Sequence, residues 1–133
     1  MILGLGTDII EISRIKTACE RERFIKRCFT EEEAALFANG KFTEGEAALF
    51  ANGKFQSVAG NFAAKEAAAK ALGTGFSGFS LSDIEVLRDE RGKPIINLFN
   101  GAKKVFETLG AKHIYVSISH CENYASAVVI IEE

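Results

Sequence analysis

The sequence has no CxxC pair, no apolar run of membrane-spanning length and no excess of positive charge. Its cysteines, Cys19, Cys28 and Cys121, are odd in number and far apart. They read as reduced thiols of an intracellular protein rather than as a disulfide framework. No stretch approaches the roughly 20 apolar residues that a spanning helix needs. The first residues also lack the charged start and long apolar core of a secretory signal. The expected location is therefore cytoplasmic. A net charge of −2 argues against a general nucleic-acid binder, which would be strongly basic.

What is present suits one globular unit. A chain of 133 residues with 47% hydrophobic and 26% charged positions can bury a core and is too short for two. We expect a single domain over 1–133. Its charge is uneven: Arg14, Lys16, Arg21, Arg23, Lys26 and Arg27 face only Glu20 and Glu22 in the same segment. That patch can steer an acidic partner.

Residues 30–42 and 43–55 say nearly the same thing twice, differing only at Glu32 against Gly45. Each copy opens with Thr-Glu-x-Glu, a capping box in which threonine and glutamate satisfy each other's backbone N–H groups. Each closes with Asn-Gly, suited to the left-handed turn that stops a helix. One unit therefore reads as a complete short helix. Two copies are too few for a solenoid.

Around the repeat, Ile2 to Leu5 reads as a first strand ended by Gly6, and a helical pattern begins near Ser13. Phe55 to Leu72 is helical, with the strong helix formers KEAAAKAL, and Gly73-Thr74-Gly75 stops it. Ser82 to Leu98 reads as a hairpin turning at Glu90-Arg91-Gly92-Lys93. Asn100 to Leu109 reads as a short amphipathic helix, and Ile114–Ser119 and Ala125–Ile131 as two strands. Segregated strands and helices in this order predict an α+β fold.

Three groups of residues can carry chemistry. Asp8 follows Gly4-Leu5-Gly6 and reads either as a capping aspartate or as a carboxylate facing a cleft. Glu66 and Lys70 share one helix face. They read either as a stabilising surface pair or as a carboxylate for a divalent cation and an ammonium for phosphate. Lys65 points about a quarter turn away. Ser117, Ser119 and His120 end a strand, but nothing supplies the orienting group and oxyanion hole of a serine hydrolase.

Together, Gly6-x-Asp8, FAAKEAAAK (Phe62 to Lys70) followed by LGTG, GKP (Gly92 to Pro94) and VSISH (Val116 to His120) resemble the holo-[acyl-carrier-protein] synthases. These are the small bacterial-type 4′-phosphopantetheinyl transferases. The resemblance runs the length of the chain in the right order. It implies an antiparallel sheet packed with a long helix and several short helices. It further implies Mg²⁺-dependent transfer of 4′-phosphopantetheine from coenzyme A to a serine of apo acyl carrier protein, releasing adenosine 3′,5′-bisphosphate.

Residue by residue, the resemblance implies Asp8, Glu66 and Lys70 as catalytic, with Asp8 and Glu66 holding Mg²⁺. Lys65, Gly73, Ser119 and His120 would line the coenzyme A site. The segment before the catalytic helix would supply basic residues for the 3′-phosphate. Lys41 and Lys54 lie there, one per copy, and Lys54 is nearer. Arg14, Arg21 and Arg23 would face the acidic carrier protein. The family also implies a homotrimer with sites shared between subunits. One departure stands out: the family's arginine before FAAKE is Asn61 here. The alternatives are a transferase impaired by the duplication, or a non-catalytic module docking an acidic protein through the basic segment.

Overall fold

A computed structural model describes the backbone of residues 1–38 and 44–133, and the side chains of residues 1–37 and 55–133. The order is β1 (Ile2–Glu11), α1 (Ile12–Ala18), α2 (Glu22–Cys28), α3 (Glu31–Ala38), α4 (Glu44–Leu72), β2 (Ile84–Arg88), β3 (Pro94–Leu98), α5 (Asn100–Thr108), β4 (His113–His120) and β5 (Tyr124–Glu132). A single 3-10 turn, Leu81–Asp83, leads into β2. One antiparallel sheet has the order β1-β5-β4, and β2 and β3 form a separate hairpin. This is the expected α+β arrangement of one long helix, short helices and antiparallel strands.

The core is built on the alanines of α4. Ala63, Ala64, Ala67, Ala68, Ala69 and Ala71 are all buried, against Val129 and Ile131 of β5 and Ile84 and Val86 of β2. Alanine serves twice here: it is the best helix former, and its short side chain lets a sheet come close.

That closeness explains the first strand. Gly6 does not end it; β1 runs on through Asp8 to Glu11, paired with β5 from Gly4↔Ile131 to Glu11↔Tyr124. A Cβ on Gly6 would lie 1.9 Å from the Ala67 carbonyl oxygen, and one on Gly4 would lie 2.0 Å from that of Ala71. The two glycines mark where strand and helix backbones touch, not a turn. The sequence signal was right about glycine and wrong about its reason.

Two helix boundaries also differ from expectation. The basic segment forms two helices, broken by a turn at residues 19–21. The second Asn-Gly does not stop a helix, because α4 passes through Asn52 and Gly53. A glycine inside a helix costs about 1 kcal/mol relative to alanine. The unbroken hydrogen-bond ladder into the favourable residues that follow offsets that cost. The second copy's 44–55 thus forms the first turns of α4, while residues 31–38 of the first copy form α3 and its Asn39-Gly40 stop lies outside the described residues. Its capping box is present: the Glu33 N–H donates to Thr30 Oγ1, and the Thr30 N–H donates to Glu33 Oε1, both at 3.2 Å.

Replacing Gly6 by alanine is expected to destabilise the fold by about 3 kcal/mol or more, since backbone must move to admit the methyl group. Urea unfolding checks this; a wild-type midpoint for G6A would mean that β1 does not rest on α4.

Candidate active site

The contact that seats β1 on α4 also builds the site. Thr7 and Asp8 follow Gly6 on the strand, and Glu66 and Lys70 lie on α4 either side of Ala67. The Lys70 ammonium donates to Asp8 Oδ1 at 3.2 Å and to the Thr7 carbonyl at 2.9 Å. Asp8 is 18% exposed and Lys70 56%, so the pair opens to solvent. Burial pushes the Glu66 carboxyl above its usual pKa, and the Asp8 charge raises it further, while Lys70 pulls it back. Two carboxylates and a lysine therefore converge on one exposed patch. Asp8 lies within the strand rather than past its end, and the rigid ladder on its β5 side fixes where it points.

A half-buried carboxylate whose charge is disfavoured by a neighbouring carboxylate makes a fitting seat for a divalent cation. Among the described residues no group of three or more His, Cys, Asp or Glu side chains gathers to enclose a metal. The donor set suits Mg²⁺, which takes one or two carboxylates and completes its shell with water and substrate phosphate.

The other expected site residues go elsewhere. Lys65 is fully buried and does not face the patch. Its ammonium donates to Glu33 Oε1 at 2.5 Å, to the Leu81 carbonyl at 3.1 Å and to the Ile84 carbonyl. Standing about 100° from Glu66 around the helix, it is turned towards α3 and β2. The expectation that Lys65 lines the coenzyme site is corrected accordingly.

Gly73 is exposed, takes a left-handed φ of +82° and has nothing within 4 Å of a hypothetical Cβ. It stops α4 one turn beyond Lys70. Ser119 and His120 lie on β4, separated from β1 by β5. Register places Ile118 across Ala127 from Asp8. Two strand spacings are roughly 10 Å. Ile118 meets α4 near Gly60, so alternation sends His120 to the helix side and Ser119 to the outer face. One chain does not bring these two into the Asp8–Glu66–Lys70 patch. The Lys54 side chain lies outside the described residues. Arg14, Arg21 and Arg23 are all exposed, on α1, at the α1–α2 junction and on α2.

Asn61 occupies a position of its own. It is buried, donates to the Val86 carbonyl at 2.9 Å and to Glu33 Oε2 at 3.3 Å, and accepts from the Arg88 guanidinium at 2.9 Å. An arginine from the β2 strand thus reaches the place where the family's arginine departs. Sequence reasoning found Asn61 but not its partners Glu33 and Arg88. The capping box marked Glu33 as a helix-start residue and gave no sign of a second, long-range role.

The model of the 4′-phosphopantetheinyl transferase superfamily matches residues 4–129. A holo-[acyl-carrier-protein] synthase of Clostridium botulinum strain Alaska E43 is 53% identical, over 99% of this chain and 98% of its own length. The crystal structure of holo-[acyl-carrier-protein] synthase from Neisseria meningitidis aligns over all of both chains, with a TM-score of 0.83 and 32% identity. That of the Bacillus anthracis enzyme, in complex with CoA (3′,5′-ADP), gives 0.77 and 36% identity over 98% of this chain and 96% of its own. The chain belongs to the 4′-phosphopantetheinyl transferase superfamily.

The Glu66 shift has a pH consequence. A carboxyl whose folded pKa exceeds its unfolded value adds stability below the unfolded pKa, and that contribution is lost as pH rises through the folded pKa. In the metal-free protein we expect Glu66 to titrate above the ordinary glutamate value by carboxyl-detected NMR. Asp8→Asn should lower that pKa, because it removes a neighbouring negative charge; an unchanged Glu66 titration would show the two carboxylates to be uncoupled.

Proposed function

We propose that the chain transfers the 4′-phosphopantetheine arm of coenzyme A to a serine of apo acyl carrier protein, and does so in the cytoplasm. The observation that carries this reading is the convergence of Asp8, Glu66 and Lys70 on one exposed patch, in a chain of this superfamily. In the reaction the serine oxygen bonds to the pantetheine-side phosphorus, and the bond from that phosphorus to the bridging oxygen breaks. Adenosine 3′,5′-bisphosphate leaves with the bridging oxygen, and the serine proton goes to a base.

Phosphoryl transfer asks chiefly for positioning and for cations where charge develops. Asp8 and Glu66 would hold Mg²⁺, which supplies positive charge against the pyrophosphate. Lys70, mobile on a flexible stem and half exposed, can leave Asp8 for a phosphate oxygen. In the apo site its ion pair with Asp8 keeps both side chains at the patch. The exposed Arg14, Arg21 and Arg23 offer an acidic carrier protein a docking surface beside α1 and α2.

The same reading includes a homotrimer. The sheet face turned away from α4 carries Leu5 (64% exposed), Ile9 (68%), Val128 and Tyr115. A patch of that kind normally meets protein. A neighbouring subunit against it would add its own residues beside β1, where Asp8 opens. That gives His120 and Ser119 a route to a shared site, one supplied by each chain to its neighbour. Among the described residues no helix is long and apolar enough to cross a membrane.

Incubating apo carrier protein with coenzyme A, Mg²⁺ and the enzyme should add the mass of one phosphopantetheine arm. Asp8→Ala and Glu66→Ala should each lower transfer by at least about a thousandfold while the far-ultraviolet circular dichroism stays native. Full activity in either variant would sink the metal assignment, and no mass gain from the folded wild-type chain would sink the transferase.

A further inference from the structure

Glu66 can serve the site only if α4 is held at one rotation about its axis. A turn of about 20° moves a side-chain tip some 6 Å from the axis by roughly 2 Å. That would be enough to swing the carboxylate away from Asp8. On the β1 side, rotation is limited by the glycine contacts at Ala67 and Ala71. Those are backbone contacts to flat glycines, which resist approach more than they resist sliding. Something on the other side of α4 must fix the angle.

Lys65, the residue before Glu66, is anchored there. Its ammonium is tied to Glu33 of α3, to the Leu81 carbonyl of the 3-10 turn and to the Ile84 carbonyl of β2. Both side chains of the ion pair are fully buried. One turn earlier, Asn61 repeats the tie, bonding Glu33 and the Val86 carbonyl and accepting from Arg88. Thr30, which caps α3, donates to Glu85 Oε2 at 2.7 Å, and Glu85 in turn accepts from Asn97. Two residues of α4, one turn apart on one face, are therefore pinned to α3 through the single carboxylate of Glu33, and to the 3-10 turn and β2 directly through backbone carbonyls. Among the described residues, no buried side-chain polar atom of this network lacks a partner.

We propose that Glu33, acting through Lys65 and Asn61, is a positioning residue for the metal-binding carboxylate Glu66. A hydrophobic substitute could fill the same volume, and buried ion pairs often contribute little net stability. What a hydrophobic contact lacks is direction. Three hydrogen bonds on one ammonium define an angle that packing alone leaves loose. The inference rests on the transferase reading, in which Glu66 holds the cation.

The duplication provides an internal control. Glu46 is the counterpart of Glu33 in the second copy, so the two glutamates can be changed one at a time. Binding of Mn²⁺, used in place of Mg²⁺, is measured by electron paramagnetic resonance in the presence of coenzyme A. Glu33→Gln keeps the capping box and the side-chain shape but removes the charge; it should weaken Mn²⁺ binding about tenfold. The Michaelis constant for carrier protein should not change. Glu46→Gln should behave as wild type. A role in stability alone would reduce the fraction of folded enzyme and leave the Mn²⁺ affinity of that fraction untouched.

If Glu33→Gln does not fold, the double variant E33Q/K65M removes both charges together, at the cost of the Lys65 bonds to the Leu81 and Ile84 carbonyls. Weak Mn²⁺ binding by the folded double variant supports the proposal. Wild-type Mn²⁺ affinity in either Glu33 variant overturns it, as does an effect of Glu46→Gln equal to that of Glu33→Gln. Failure of the wild-type chain to bind Mn²⁺ with coenzyme A would instead overturn the transferase reading beneath it.

Discussion

The structure depends on one close approach, that of a strand without side chains at Gly4 and Gly6 to a helix with little more than methyl groups at Ala67 and Ala71. Dispersion and hydrophobic contact reward this only because both surfaces are nearly flat. Its consequence is chemical as much as structural. Two residues after the glycine that touches Ala67, the strand presents Asp8; on either side of Ala67, the helix presents Glu66 and Lys70. The candidate active site arises at the margin of a packing contact, with rigid elements on both sides of it. The glycines therefore serve the site by setting how closely the strand lies on the helix.

The opposite side of α4 uses the reverse strategy. There the helix meets its neighbours through a buried polar network in which Glu33 is shared between its own helix cap, Lys65 and Asn61. Burial pushes Glu33 up and Lys65 down from their usual pKa values, and each partner's charge works against that shift. Such an arrangement makes sense where orientation matters more than net stability. It also explains how a duplicated segment can be carried beside an active site. The first copy supplies the carboxylate that the network needs, and the second lengthens α4 at the end remote from Glu66 and Lys70.

Much of this was legible in the sequence, for identifiable reasons. The β2–β3 hairpin, α5 and the β4–β5 pair were set by local alternation, helical periodicity and turn glycines, and each formed within a residue or two of expectation. The Thr30–Glu33 capping box is equally local and is present. What failed were inferences that needed the third dimension. Gly6 looked like a strand end because a glycine at a close approach and one at a turn are identical in sequence. Asn52-Gly53 looked like a stop because capping preference is weak against a continuing helix. Lys65 was expected at the coenzyme site on the family resemblance, yet its roughly 100° of rotation from Glu66 is enough to separate the site from the core. Asp8, Glu66 and Lys70 were grouped by spacing on one helix face and by the family motif, and the fold brings the three side chains together.

In the proposed reaction this contact assembles a two-carboxylate seat for a divalent cation at the pyrophosphate of coenzyme A. The most direct measurement is an anomalous-difference map from crystals grown with Mn²⁺ and coenzyme A. A single strong peak is expected within coordination distance of both Asp8 and Glu66. Lys70 should have left Asp8 for a phosphate oxygen, while Lys65 stays buried on Glu33. A peak coordinated by other residues, with the Lys70–Asp8 pair still intact beside bound coenzyme, would contradict that assignment.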